Sequence, residues 1–315
     1  MKCHTLTVVT PNYNHGQYLS QAIEAVASQS RPPDEFIILD DGSTDNSVEI
    51  IEEYARKFSF IRVMKNKTNG GAAKAINKLF QEVKGDYLFV TCADDFILPG
   101  FFEKAMEMAD RFPQAGLVFG NFVALHTDGR EALVEVRGWN QPDYFSPGRF
   151  LTEYLETHPA SHSLCGSTIY RRTAFEEVGR FRPELGSWGD TFAARAIALR
   201  WGACYIPQKC MVWRLLQTSL SHSTGRDIHR MLDIISRGIF LMRSPEFRPW
   251  FPETHVSSFE KRFREFAVEN YFYSFIPGRN PIRKVIRKLM VRTFGKKFFR
   301  YKGDISCYQK KSTSC

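Results

Sequence analysis

Four short clusters hold most of this chain's chemistry-bearing side chains. Asp40-Asp41-Gly42-Ser43-Thr44-Asp45 and Cys92-Ala93-Asp94-Asp95 set carboxylates in pairs. Asn69-Gly70-Gly71 is a glycine turn opening a helical pattern, and Pro11-Asn12-Tyr13-Asn14 sets polar groups about an aromatic ring. Paired acids offer hard oxygen ligands to a divalent cation, and the free amides of a helix N-terminus suit phosphate. A metal with a diphosphate is therefore the chemistry these residue types fit. Taken singly, each cluster has a plainer reading. Residues 40–45 alone read better as a turn capping a helix, Asn69-Gly70-Gly71 as a flexible turn, and Asp94 and Asp95 as solvated loop acids. Their coincidence at one edge of one sheet shifts the balance, since independent turns have no reason to gather there.

The elements that must position these clusters show as alternation. Short apolar runs at 6–10, 35–40, 60–64, 86–91 and 116–119 alternate with helix-period segments at 17–28, 45–58, 70–83 and 100–111. That is the pattern of parallel strands joined by crossover helices, and the runs are nearly continuous, as strands covered on both faces must be. Ser43 and Thr44 suit the N-cap of the second helix, and Pro99 the first turn of the fourth. In an open parallel sheet, ligands bind beyond the carboxyl ends of the strands. The four clusters follow the first four strands. After residue 120 the rhythm changes: runs at 121–126 and 132–136 flank Thr127-Asp128-Gly129-Arg130, a hairpin signal. A helix at 150–157, a strand at 167–170, a helix at 191–201, a strand near 203–207 and helices at 226–243 and 256–274 complete the pattern.

The 315 residues are 43% hydrophobic and 24% charged, figures of an ordinary globular protein, which excludes overall disorder. The net charge of +9 is uneven: residues 279–315 carry 12 Lys and Arg against the single acid Asp304, leaving 31 basic and 33 acidic residues in 1–278. A slightly acidic body argues against a basic groove and against nucleic acid as a partner. In the tail, Ile282, Val285, Ile286 and Leu289 share one helical face, with Arg283, Lys284, Arg287 and Lys288 off it. Such a segment suits an anionic membrane surface through 279–302, or a helix packed on the domain with its charged side in water. The seven cysteines are odd in number and form no C-x-x-C pair, so a reduced compartment is expected, with no disulfide framework or structural zinc. With no secretory leader and no run long enough to span a bilayer, the expected location is the cytosol, on the inner face of the membrane where the tail docks.

The stretches LTVVTPNYNHGQYLSQAIEAVASQS, FIILDDGSTDNS, NGGAAKAINKLF and GDYLFVTCADDFILPGFF resemble, in order and spacing, the nucleotide-binding half of the inverting nucleotide-sugar glycosyltransferases of glycosyltransferase family 2. The resemblance covers about residues 4–215. It implies a GT-A (Rossmann-like) α/β fold, a mostly parallel sheet flanked by helices, with a C-terminal helical extension. Residues 1–120 would form the nucleotide-sugar half, 121–220 the acceptor-binding and catalytic half, and 221–315 the extension.

By position, the resemblance implies that Pro11 and Tyr13 pack on the nucleotide base and that Asp40 and Asp41 read base and ribose. Asp94 and Asp95 would hold Mg²⁺ or Mn²⁺, and Arg214 of Trp213-Arg214 would face the diphosphate. The first acid of the usual D-x-D-D is here Cys92, read as a buried strand-end thiol and not a nucleophile. An Arg common to the family is here Ile76, for which Lys74 would substitute. In Gly186-Ser187-Trp188-Gly189-Asp190-Thr191-Phe192, Asp190 would be the catalytic base, although Gly189 replaces a usual Glu; alone, Asp190 reads as a helix cap. Leu216 lies where a His is often found. His158, His162 and His222 are acceptor-site candidates. The expected partners are a nucleoside-diphosphate sugar donor and a saccharide or lipid-linked acceptor. A sugar-1-phosphate nucleotidyltransferase is disfavoured by the first strand exit, which lacks a Gly-rich, basic turn. A catalytically inactive sugar-nucleotide-binding scaffold is the remaining alternative.

Overall fold

The computed structural model of the chain describes residues 4–136, 139–157, 164, 166–217, 219, 224 and 227–274. One sheet of ten strands runs through them. Its order is β3 (Ile61–Lys65), β2 (Glu35–Asp40), β1 (Leu6–Asn12), β4 (Tyr87–Val90), β9 (Thr168–Arg171), β6 (Leu117–His126), β10 (Ala203–Leu215) and β5 (Phe96–Ile97). β7 (Glu131–Val134) pairs with β6 as the expected hairpin, and β8 (Asp143–Phe145) pairs with the start of β10. β1 to β4 are parallel, β9 is antiparallel to both β4 and β6, and β10 is parallel to β6. β1 to β4, β6 and β10 therefore all point one way, and their carboxyl ends share one edge.

Two apolar layers cover the sheet, one on each face, and strand residues alternate between them as a pleated backbone requires. Val8, Phe36, Ile38 and Phe89 face the layer formed with helices α1 (Gly16–Ala27), α2 (Ser47–Lys57) and α4 (Phe101–Arg111). Val9, Ile37, Leu39 and Leu88 face the other layer. It contains α3 (Ala72–Glu82), α5 (Pro147–Arg149) with the π-helical turn Phe150–Leu155, α6 (Arg172–Glu177), α7 (Gly189–Trp201), α8 (Ile228–Arg243) and α9 (Glu253–Ser274). α7 is buried along 191–199 because the sheet lies on one side of it and α8 and α9 on the other. Its closeness to the sheet depends on Gly116, where a Cβ would lie 2.4 Å from Ile197.

Several local expectations are corrected. α2 begins at Ser47 with Asn46 as N-cap, not Ser43 or Thr44. The Ser43 hydroxyl instead donates to Asp40 (2.6 Å) and accepts from Asn12 (3.2 Å), a use the tight turn after β2 makes nearer. Gly100 caps α4, leaving Pro99 outside its first turn. The strand expected near 203–207 is 13 residues long, continuing through register shifts beside Pro207. The runs at 116–119 and 121–126 form one strand, β6. Among the described residues no helix is long and apolar enough to cross a membrane. The tail segment 279–302 and His158, His162 and His222 lie outside the described residues.

Candidate active site

The first two strand exits are laced together. Asn12 pairs with Asp40 in the register of β1 and β2, and the Asn12 amide donates to the Asp40 carboxylate at 2.8 Å. The backbone N–H of Ser43 donates to the same carboxylate at 2.9 Å. Asn14, in the left-handed region at φ 55°, accepts from the Thr44 N–H at 2.8 Å; a short amide side chain that bonds locally tolerates that conformation. Asp41 accepts from the Asn66 amide at 2.7 Å and from the backbone N–H groups of Gly70 (3.0 Å) and Gly71 (2.9 Å). Both acids are only 2% exposed. The glycine turn before α3 is thus occupied by an internal carboxylate, not left open to a phosphate. Gly42 makes the arrangement possible: at φ +77° its missing Cβ would lie 2.8 Å from the Thr68 backbone, so the turn after β2 lies directly on the loop before α3.

On the lip of this edge Pro11 is half-buried and Tyr13 is 40% exposed, one of two large exposed hydrophobic side chains among the described residues. Its ring is free to stack on a planar ligand. Lys74 is exposed in the first turn of α3, its stem near Gly70. Ile76 is partly buried against the core, so it offers no cation here.

The fourth exit is held by β10. Val212 pairs with Phe96 of β5, which sets Trp213 and Arg214 beside Asp94 and Asp95. The Arg214 backbone N–H donates to Asp95 at 2.8 Å. The Arg214 guanidinium lies between the rings of Tyr18 (5.0 Å) and Phe96 (4.8 Å) and donates to the Asp94 carbonyl and the Gln21 side chain. Arg214 therefore belongs to the site, but as the brace of the acidic turn. Tyr18 and Gln21, three apart on one face of α1, were not expected in the site. Nothing local in the sequence links them to a residue nearly two hundred positions later.

Cys92, Asp94 and Asp95 offer ligand atoms that all lie within 4.8 Å of one another. Cys92 is exposed, not buried as expected, because it lies two residues beyond the end of β4 at Val90. Loss of water around its sulfur, with the charges of Asp95, Asp94 and Asp190, pushes that thiol well above its usual range. It is thereby kept protonated, a poor nucleophile. Asp95 is 4% exposed. Burial and the neighbouring Asp94 push its carboxyl well above the carboxylate range, against the Arg214 N–H that favours the charged form.

Asp190, from the second half of the chain, is near enough for its charge to act on the Cys92 thiol. It sits in the first turn of α7 after the 3₁₀ turn Pro183–Trp188, and Trp188, not Asp190, is the N-cap residue. One carboxylate oxygen accepts from the Thr191 N–H at 2.6 Å. Burial raises its pKa, while that hydrogen bond and the charge of Arg195 pull it down. The result is a partly buried carboxylate of raised basicity, a property that suits a general base.

Comparison with known proteins agrees with this architecture. The family described as "Glycosyl transferase family 2" matches residues 7–179. The chain belongs to glycosyltransferase family 2. It is 34% identical to the glycosyltransferase GlyG of Streptococcus pneumoniae over 117 residues, 37% of this chain and 38% of GlyG. It is 32% identical to the poly(ribitol-phosphate) beta-N-acetylglucosaminyltransferase TarS of Staphylococcus aureus over 191 residues, 56% of this chain and 29% of TarS. The matches thus span under two-fifths of these relatives' length. Among solved structures, TarS 1–349 of S. aureus in complex with UDP-GlcNAc superposes with a TM-score of 0.63 at 14% identity, covering 98% of this chain and 92% of that one. The mannosyltransferase PcManGT of Pyrobaculum calidifontis, in complex with GDP-Man and Mn²⁺, gives 0.60 at 18% identity, covering 96% and 84%. At those identities the likeness is one of fold, and the fold is GT-A.

Proposed function

We propose that this chain transfers a sugar, with inversion, from a nucleoside-diphosphate sugar to a hydroxyl of a saccharide or lipid-linked saccharide in polysaccharide synthesis. One observation carries the reading: in a chain of glycosyltransferase family 2, the exit of β4 gathers Cys92, Asp94 and Asp95 with ligand atoms within 4.8 Å of one another. The donors named for TarS and PcManGT, UDP-GlcNAc and GDP-Man, support a nucleotide-sugar donor. In this reading residues 1–120 hold the donor, 121–220 present the acceptor and the base, and 221–315 form a helical extension.

Asp190 takes the proton of the acceptor hydroxyl as that oxygen attacks the anomeric carbon, and the bond to the diphosphate breaks on the opposite face. The raised basicity of Asp190 suits that step. Tyr13, with Pro11, stacks on the base, and Lys74, exposed beside Gly70, meets the diphosphate. The spacing of Cys92, Asp94 and Asp95 fits a divalent cation of the Mg²⁺ or Mn²⁺ kind. Asp94 and Asp95 would hold it, and when bound it would neutralise the charge on the departing diphosphate.

The test is thermal stabilisation by a panel of nucleoside diphosphates and nucleotide sugars, each with and without Mn²⁺ or Mg²⁺. At a hundredfold excess over Kd a native-state ligand adds about 3 kcal/mol, a readable shift. A metal-dependent shift with one base is expected. No shift with any nucleotide would overturn the donor site and favour an inactive scaffold.

A further inference from the structure

The residues that flank Asp190 are gripped from outside the catalytic half. Two positions before it, the Trp188 indole lies edge-on to Phe263 (ring centroids 4.6 Å, interplanar 72°) and to Phe259 (5.9 Å, 80°). Five positions after it, the Arg195 guanidinium lies over the same two rings, 5.7 Å from Phe259 and 5.8 Å from Phe263. Phe259 and Phe263 are one turn apart on α9 and stack on each other at 4.2 Å. Arg195 is 1% exposed, among the largest fully buried side chains of the molecule. A cation desolvated between aromatic faces is held more strongly, and in a narrower set of orientations, than one in water. A single pair of rings therefore contacts both the entry and the second turn of the helix whose first turn carries Asp190.

We propose that Phe259 and Phe263, through Trp188 and Arg195, are positioning residues that set where the Asp190 carboxylate stands in the cleft. The inference rests on the reading of Asp190 as the base. Neighbouring contacts lean the same way: Phe192, two residues after Asp190, lies edge-on to Phe247 (5.0 Å) and stacks on Phe251 (5.9 Å) in the connection between α8 and α9. Among the described residues nothing comparable from α8 or α9 touches the donor-side acids, which are braced by Arg214, Gln21, Asn66 and the glycine turn. Loosening the ring pair should therefore displace the base without disturbing the donor site. A displacement on the ångström scale costs a rate of up to a hundredfold while ground-state binding is unchanged.

The experiment compares the full chain with Phe263→Leu, Arg195→Met, Arg195→Lys and Asp190→Asn, reading kcat, donor KM, nucleotide-induced thermal shift and melting temperature. Phe263→Leu and Arg195→Met are expected to lose tenfold or more in kcat, with donor KM and the nucleotide shift within about twofold of the original. Arg195→Lys, which keeps a cation over the rings, is expected to recover part of the loss. Unchanged kcat in variants that fold would overturn the proposal, as would a donor KM that rises in step with the fall in kcat. Should Phe263→Leu fail to fold, Trp188→Phe carries the same comparison with a smaller ring. Transfer retained by Asp190→Asn would instead sink the assignment of the base, a separate result from failure of the clamp.

Discussion

Asp190 and Asp95 are both pushed up by burial, but their surroundings give them different work. Asp95 is the more enclosed, faces Asp94 and accepts from the Arg214 N–H, which makes it part of a fixed acidic turn. Asp190 is partly buried in the first turn of α7, where one carboxylate oxygen accepts from the Thr191 N–H. A base works only when ionised, so activity should fall as pH drops through its raised pKa, with the acid limb of kcat/KM above the ordinary Asp value of about 4. Asp190→Asn should reduce transfer by about 10² to 10⁴ and remove that limb, which pH–rate measurements on both proteins would check. The residue types of the site were legible in the sequence, and the partners of those residues were not. Asp40 and Asp41 stand where the resemblance puts readers of base and ribose, yet each is bonded inward, to Asn12 and Ser43 and to the Gly70 and Gly71 amides. Such pairings depend on how two loops approach, and no local pattern encodes that.

At the scale of elements, the parallel half read well because each strand is a short apolar run between helical periods, and those two periodicities differ sharply. β2 has the expected bounds, and α1 to α4 lie within about two residues of expectation. β5 and β8 escaped notice because two or three residues carry no period, and β10 was cut short because Pro207-Gln208-Lys209 looks like a turn where the strand only bulges. That continuation is what brings Arg214 to the acidic turn. α9 was expected from its period, but its task was not, since it depends on rings meeting Trp188 and Arg195 across the fold. One titration reports on α9 directly. His255, 5% exposed on this helix, is held down to about 4 by burial and by the charges of Arg195 and Arg262. The folded state keeps it neutral, while the unfolded chain takes up a proton below about 6.5. Stability is therefore expected to be full above that pH and lost as pH falls toward 4, by about 3 kcal/mol at most. Melting temperatures at pH 7 and pH 5 should differ more in the original chain than in His255→Leu; equal slopes would contradict the assignment.

Across the whole molecule the cleft is built by two parts of the chain with separate supports. The acids proposed to face the donor stand at the exits of β2 and β4 and are braced by α1, by β10 and by the loop before α3. The Asp190 side stands on α7, held against the sheet at Gly116 and covered by α8 and α9. Groups far apart with no shared partners contribute almost independently. Binding of the donor and transfer to the acceptor should therefore come apart under mutation. In Asp41→Asn the carboxylate that accepts from Gly70, Gly71 and Asn66 becomes an amide whose donor end meets other donors. An unsatisfied buried pair of that kind costs about 1 to 3 kcal/mol and would open the turn before α3. That variant should lose most of the nucleotide-induced thermal shift, and its transfer should fall because the donor is no longer held. Asp190→Asn should keep the full nucleotide shift and lose only transfer. Titrating both variants with the nucleotide that stabilises the original chain decides the matter. Loss of nucleotide binding in Asp190→Asn would mean that the two parts form one cooperative unit, whose donor site depends on α7 as much as on the parallel strands.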